Sequence, residues 1–167
     1  GIDYRVHQYL PGCFVLSGGN VSALPGFDEG FFYVQDSAAR AAVEIAPVKS
    51  GMRVLDACSA PGGKSFACAI KMENNGSIIS CDLHEKKLRL VKGGAERLGI
   101  DIINTLPFDA RKNKEDFNSA FDLVIADVPC SGIGVIGKKP EIRWKKEEDI
   151  AALPGIQLEI LNNLSSY

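Results

Sequence analysis

Residues 53–64, Arg53-Val54-Leu55-Asp56-Ala57-Cys58-Ser59-Ala60-Pro61-Gly62-Gly63-Lys64, set the architecture of this chain. An apolar run through Ala57 reads as a strand, a glycine-rich turn follows it, and a helix is predicted from about Ser65 to Met72. The Pro-Gly-Gly turn lets backbone approach a ligand closely, because glycine has no Cβ. The alternation then repeats. Asn74-Asn75-Gly76 is a turn, and Ser77-Ile78-Ile79-Ser80-Cys81-Asp82 reads as a second strand. The next helix carries Leu88, Val91, Ala95 and Leu98 on one face, and Gly99 stops it. A third strand opens at Ile102-Ile103 and ends near Asp109, and Phe121 to Ala126 forms a fourth. Glu147 to Leu164 reads as helical, interrupted at Pro154-Gly155.

Strands alternating with helices imply the α/β class, with a mostly parallel sheet covered on both faces. Residues 51–167 form this unit, and residues 1–50 precede it as an N-terminal appendage or linker. That appendage has turn signals at Pro11-Gly12, Gly18-Gly19 and Pro25-Gly26. Phe31-Phe32-Tyr33-Val34 is expected to be a short strand. Asp36 is placed to cap a helix over Ser37 to Ile45, which Pro47 and Gly51 end.

The 167 residues suffice for one domain with a substantial core. Their 46% hydrophobic and 24% charged content is ordinary for a soluble globular protein. No apolar run approaches the roughly 20 residues that a membrane span needs, and no signal peptide is read at the Gly-Ile-Asp start. The five cysteines form no CxxC pair, and the two histidines, His7 and His84, are scattered, which argues against a disulfide framework and against a metal site. A reducing cytoplasm is the expected setting. The net charge of −2 gives no general signal for nucleic acid, so such binding must come from a local patch.

In open α/β sheets ligands bind at the carboxyl ends of strands. Asp56, Asp82, Asp109 and Asp127 end the four predicted strands, which gathers four carboxylates along one rim. Asp82 lies about twenty residues after the glycine turn, where a nucleotide site places an acid for ribose hydroxyls. The turn is neither GxGxxG nor a P-loop, since the first glycine of the latter would fall at Cys58. An acidic rim suits a ligand carrying a sulfonium and an amino group better than a triphosphate. The plainer alternatives are that Asp56 caps the following turn and that Asp109 is a solvated loop residue. A thiol, Cys130, sits just past a proline in Ala126-Asp127-Val128-Pro129-Cys130-Ser131-Gly132. Lys138, Lys139, Arg143, Lys145 and Lys146 surround Trp144, which suits an RNA backbone with a stacked base; the alternative is a solvated loop with Trp144 packed on the domain.

The stretches VLDACSAPGGK, CD after the second strand, FDA after the third and DVPCSG after the fourth resemble the S-adenosylmethionine-dependent RNA cytosine-C5 methyltransferases. ALPGFDEGFFYVQDSAA and GVIGKKPEIRWKKEEDIAAL are similar to the branch of that family that acts on bacterial small-subunit ribosomal RNA, the Sun/Fmu type. The resemblance implies a Rossmann-like methyltransferase fold whose sheet has seven strands, these four being its first half. S-adenosyl-L-methionine is the implied cofactor and ribosomal RNA the implied partner. Cys58, Ser59, Ala60, Pro61, Gly62, Gly63 and Lys64 would wrap the methionine part, Asp82 the ribose and Asp109 the adenine amino group. Asp127 would lie between cofactor and base, with Lys64 pointing into the site. Lys138, Lys139, Arg143, Trp144 and Lys145 would meet RNA.

Cytosine C5 is a poor nucleophile until a thiolate adds at C6, so the chemistry needs a cysteine. Cys130 is the natural candidate, with Asp127 or Lys64 stabilising charge on the ring. The resemblance assigns the attack instead to a later Thr-Cys cysteine and gives the Pro-Cys thiol a part in product release. No Thr-Cys pair occurs in this sequence, which ends at Ser165-Ser166-Tyr167. The expectation is weak cofactor binding without RNA methylation by these residues alone. The rival readings are a methyltransferase on transfer RNA or protein, and a non-catalytic nucleotide- or RNA-binding module. Cys68 and Cys81 read as small core residues, and Cys58 as a backbone contributor.

Overall fold

A computed structural model describes residues 3–137 and 139–167. Its centre is a four-stranded parallel sheet built from β3 (Arg53–Asp56), β4 (Ser77–Asp82), β5 (Ile103–Pro107) and β6 (Leu123–Ile125), in the order β5-β4-β3-β6. Ahead of it lie a small antiparallel hairpin, β1 (Tyr4–Val6) with β2 (Phe14–Leu16), and helix α1 (Ser37–Ile45). Helices α2 (Gly63–Lys71) and α3 (Glu85–Arg97) join the first strands of the parallel sheet, and α4 (Glu147–Ala151) and α5 (Leu153–Leu164) follow the last. The arrangement is Rossmann-like.

Strand alternation builds two cores. Val54 and Ile78 face a cluster with Val43, Phe66, Met72, Leu88, Val91 and Ala95, which covers one side with α1, α2 and α3. Leu55 and Cys81, on the opposite face of the same strands, pack with Phe117, Ile160, Leu164 and Tyr167 on the other side. Register is pinned at the entrance to β3, where Arg53 donates its backbone N–H to Asp122 Oδ2 at 2.8 Å and its guanidinium to the same carboxylate.

The early segment is fastened at several points. Asp36 accepts the Ala38 N–H at 2.9 Å, the N-cap that its place before α1 predicts. Lys71 at the end of α2 donates to the carbonyls of Val43, Glu44 and Ala46, at 3.2, 2.7 and 3.1 Å, and so satisfies the open C-terminus of α1. Arg97 donates to the carbonyls of Phe27 and Phe32 and lies 4.0 Å from the Phe27 ring centroid.

Two expectations are corrected. Phe31-Phe32-Tyr33-Val34 is not a strand: Phe31 and Val34 are exposed, while Phe32 packs edge-on against Phe27 and Tyr33 against Phe66, so aromatic packing holds the segment. The break in the last helical stretch falls at Ala152, and Pro154 sits in the first turn of α5, where its missing N–H costs nothing. The β1–β2 hairpin was not foreseen; Tyr4 and Phe14 pair across it at 5.7 Å.

The Phe66 ring is the wedge between α2 and α3. A Cβ at Gly94 would collide with the tip of that ring, whereas one at the neighbouring Gly93 would meet nothing. Gly93→Ala should therefore stabilise the protein by about 0.5–1 kcal/mol through helix propensity. Gly94→Ala should destabilise it, since overpacking costs about 1–3 kcal/mol. Urea unfolding midpoints of the two variants check the opposite signs.

Candidate functional site

The turn after β3 is locked to the sheet before it reaches the site. Ser59 donates both its N–H and its Oγ to the Cys81 carbonyl, at 2.7 and 3.0 Å, and the Gly62 N–H closes the turn onto the Ser59 carbonyl at 2.7 Å. The Ala60–Pro61 peptide is cis. Gly62 has φ of +112°, and a Cβ there would sit 2.5 Å from Phe66, so glycine is required twice over. Helix α2 begins at Gly63, directing its N-terminus to the strand ends.

A cavity of about 430 Å³ opens beside this turn. Its wall includes Cys58, Ser59, Ala60, Pro61, Gly63 and Lys64 together with Asp56 and Asp127. The turn and the fourth strand end thus meet at one cavity. Lys64 Nζ bridges to Asp127 Oδ2 at 2.5 Å, joining residues 63 positions apart. Asp82 and Asp109 are not on that wall. Asp82, mostly buried, accepts the His84 N–H at 2.9 Å, with Lys87 at 4.0 Å. Asp109 takes the Arg111 guanidinium in a two-point grip, 2.9 and 2.8 Å, which together with the Arg111 N–H holds its carboxyl below the usual range.

All four acids nevertheless converge electrostatically on one group. Burial, and then Asp56, Asp82, Asp127 and Asp109, push the Cys58 thiol up to about 11. Burial and the acids of the rim thus keep Cys58 in its thiol form at neutral pH. Cys68 and Cys81 are fully buried, and their thiols are pushed up to about 12 mainly by burial.

Asp56 departs from the open-rim expectation. It is fully buried, and Ser65 Oγ donates to its Oδ2 at 2.7 Å while lying 2.7 Å from Ser80 Oγ. Its other oxygen, Oδ1, is buried without a hydrogen-bond partner, and the residue still contributes to the cavity wall. Desolvation pushes its carboxyl up to about 6, with the Ser65 hydrogen bond opposing and Asp127 reinforcing.

Two features escaped sequence reading. Gln35 lines the cavity, its Nε2 buried without a hydrogen-bond partner and its amide against Gly63. The early segment also forms a wall, with Phe27, Tyr33 and Asp36. The VQD run ahead of α1 was the available signal, read only as a helix cap. The cavity thus offers acids for a cationic group, and an orphaned donor with a helix N-terminus for an anionic one.

Cys130 is exposed. Lys139, Arg143, Lys145 and Lys146 are exposed around the 3-10 turn Pro140–Trp144, and Trp144 is 86% exposed, which removes the alternative that it packs on the domain. Lys138 lies outside the described residues. Among the described residues, no group of acids, cysteines and histidines is arranged to hold a metal ion, and no helix is long and apolar enough to cross a membrane.

Comparison with known proteins gives a consistent answer. Residues 42–166 match the family model described as 16S rRNA methyltransferase RsmB/F. The chain is 44% identical over 167 residues to the probable ribosomal RNA small subunit methyltransferase B of Bacillus subtilis, covering 99% of this chain and 37% of that protein. The crystal structure of PH0851 superposes with a TM-score of 0.92 at 32% identity, covering 99% of this chain and 38% of that one. A methyltransferase homolog protein from Pyrococcus horikoshii gives 0.77 at 26% identity, over 98% of this chain and 52% of its own.

The Asp56 shift makes stability depend on pH. Between pH 3.8 and about 6 the unfolded chain releases this proton while the folded chain keeps it, so stability falls as pH rises and the loss is constant above about 6. Two pKa units correspond to roughly 3 kcal/mol. Relative to Asp56→Asn, the wild type should lose stability by that order between pH 4 and 7. Denaturant unfolding of both at each pH measures the difference.

Proposed function

The chain belongs to the 16S rRNA methyltransferase RsmB/F family, and from that premise we propose that it binds S-adenosylmethionine and serves methyl transfer to C5 of a cytosine in small-subunit ribosomal RNA. It spans about 37% of the length of its Bacillus relative, so the activity proposed is that of the longer protein to which such a domain contributes. Residues 51–167 would be the cofactor-binding part and residues 1–50 its appendage. The observation that carries the reading is the Lys64–Asp127 pair on the wall of the cavity beside the Cys58–Gly63 turn.

The donor set fits the cofactor. Carboxylates suit its sulfonium and ammonium, and Gln35 Nε2 with the α2 N-terminus suits its carboxylate. Bound there, S-adenosylmethionine supplies an electrophilic methyl group. Asp82 and Asp109, which lie off the cavity wall, would accept from the ribose hydroxyls and the adenine amino group of a cofactor that extends along the strand ends. Asp127 would lie between cofactor and base, and the Lys64 ammonium paired with it would donate toward N3 of the cytosine and stabilise charge as a thiolate adds at C6. Cys130 serves release of the covalent product. The attacking thiolate in this reading belongs to a Thr-Cys pair, and none occurs in this sequence. Lys138, Lys139, Arg143, Trp144 and Lys145 bind RNA by charge and stacking. Five free thiols suit a reducing cytoplasm.

Calorimetric titration of the chain should detect S-adenosylmethionine but neither ATP nor NAD. Asp82→Ala should weaken that binding by about ten- to a hundredfold, the factor carried by hydrogen bonds to a charged group. A preference for ATP or NAD sinks the reading. With the longer protein, labelled methyl transfer to a small-subunit ribosomal RNA fragment is expected, and transfer to transfer RNA instead would redirect the substrate.

A further inference from the structure

Cys130 lies in a stretch, residues 126–132, that belongs to no helix or strand. The thiol is exposed, so packing does not set its direction. Two side chains nevertheless hold the main chain on either side of it. Gln157 Nε2 donates to the Pro129 carbonyl at 2.8 Å. Lys145 Nζ donates to the Ser131 carbonyl at 2.8 Å. The two donors come from different elements. Gln157 stands on α5, which is anchored by the buried Ile160 and Leu164. Lys145 caps the Pro140–Trp144 turn, anchored by the buried Ile142, whose Cδ1 would lie 3.1 Å from a Cβ on Gly132.

The two carbonyls belong to peptide planes before and after Cys130. Holding both restrains the ends of a short segment whose own backbone groups make no ladder. Lys145 contributes a charge-assisted bond, the stronger kind. Asp127, three residues ahead, is tethered in turn by Lys64.

We propose that Gln157 and Lys145 are positioning residues that bracket Cys130 and aim its thiol. The purpose of the bracket rests on the reading of Cys130 as an active-site thiol, while its existence does not.

The test is the rate at which iodoacetamide alkylates each cysteine of the whole chain, followed by peptide mass spectrometry from about pH 7 to about pH 10. Gln157→Glu keeps the shape and removes the donor. Lys145→Met removes the ammonium, and Lys145→Arg keeps a charged donor. In Gln157→Glu and Lys145→Met the Cys130 rate at the alkaline plateau should rise about two- to tenfold, the factor of one lost hydrogen bond. Lys145→Arg should react as the wild type does. Cys68 and Cys81, fully buried, should stay as slow as in the wild type. An unchanged Cys130 plateau in both variants overturns the proposal. So does equal acceleration at Cys68 and Cys81, which marks a loosened fold. Alkylation needs neither cofactor nor RNA, so failure here is distinguishable from failure to bind S-adenosylmethionine.

Discussion

Ser65 holds Asp56 and Ser80 at 2.7 Å each, and none of the three meets solvent. Burying three polar side chains is costly, and here each makes at least one hydrogen bond, while Asp56 Oδ1 is left without a partner. The arrangement therefore ties the end of β3, the middle of β4 and the first turn of α2 to one another. A slip of one residue in either strand would turn Asp56 or Ser80 to the opposite face and leave a buried group unpaired. The Pro-Gly-Gly turn has little freedom once both its ends are fixed in this way. The cavity wall, the direction of α2 and the meeting of Lys64 with Asp127 all follow from it.

The same site shows how charge is managed. Of the four acids, Asp127, Asp109 and Asp82 each have a cation from the chain beside them, and Asp56 is shifted toward its neutral form. The rim is therefore far less negative than its composition implies. Each of the Lys64–Asp127 and Arg111–Asp109 pairs keeps one partner partly exposed, so a ligand can reach and compete for the acid. The acids are better understood as acceptors of defined direction than as an undirected negative field.

The parallel sheet was legible in the sequence because its signals are local. Val54-Leu55 and Ile78-Ile79 announce strands with two buried faces, Gly99 ends a helix, and Leu88, Val91 and Ala95 mark one helical stripe. The strand-end acids were found by counting along the chain. The hairpin was not, since Tyr4, Val6 and Phe14 are exposed and bury no alternating face. The inward turn of Asp56 was missed because its partner Ser65 carries no pattern of its own. Gln35 and Gln157 were missed, and Lys145 was read only as an RNA contact, for a related reason: a side chain's hydrogen bond to a distant group depends on tertiary geometry, and periodicity reports only faces. The family resemblance named the turn and the strand ends, but not what holds them in place.

The cap that Lys71 places on α1 has a dynamic consequence. A nine-residue helix is too short to persist on its own in water. Its last carbonyls are satisfied from α2, and its Val43 lies in the same core as Phe66. The two helices therefore form one cooperative opening unit, and α1 cannot fray at its C-terminus without stripping three acceptors from Lys71. Hydrogen-exchange protection of the α1 amides thus reports on the element that begins at the Pro-Gly-Gly turn, and a ligand that steadies the turn would slow exchange well outside its own contacts.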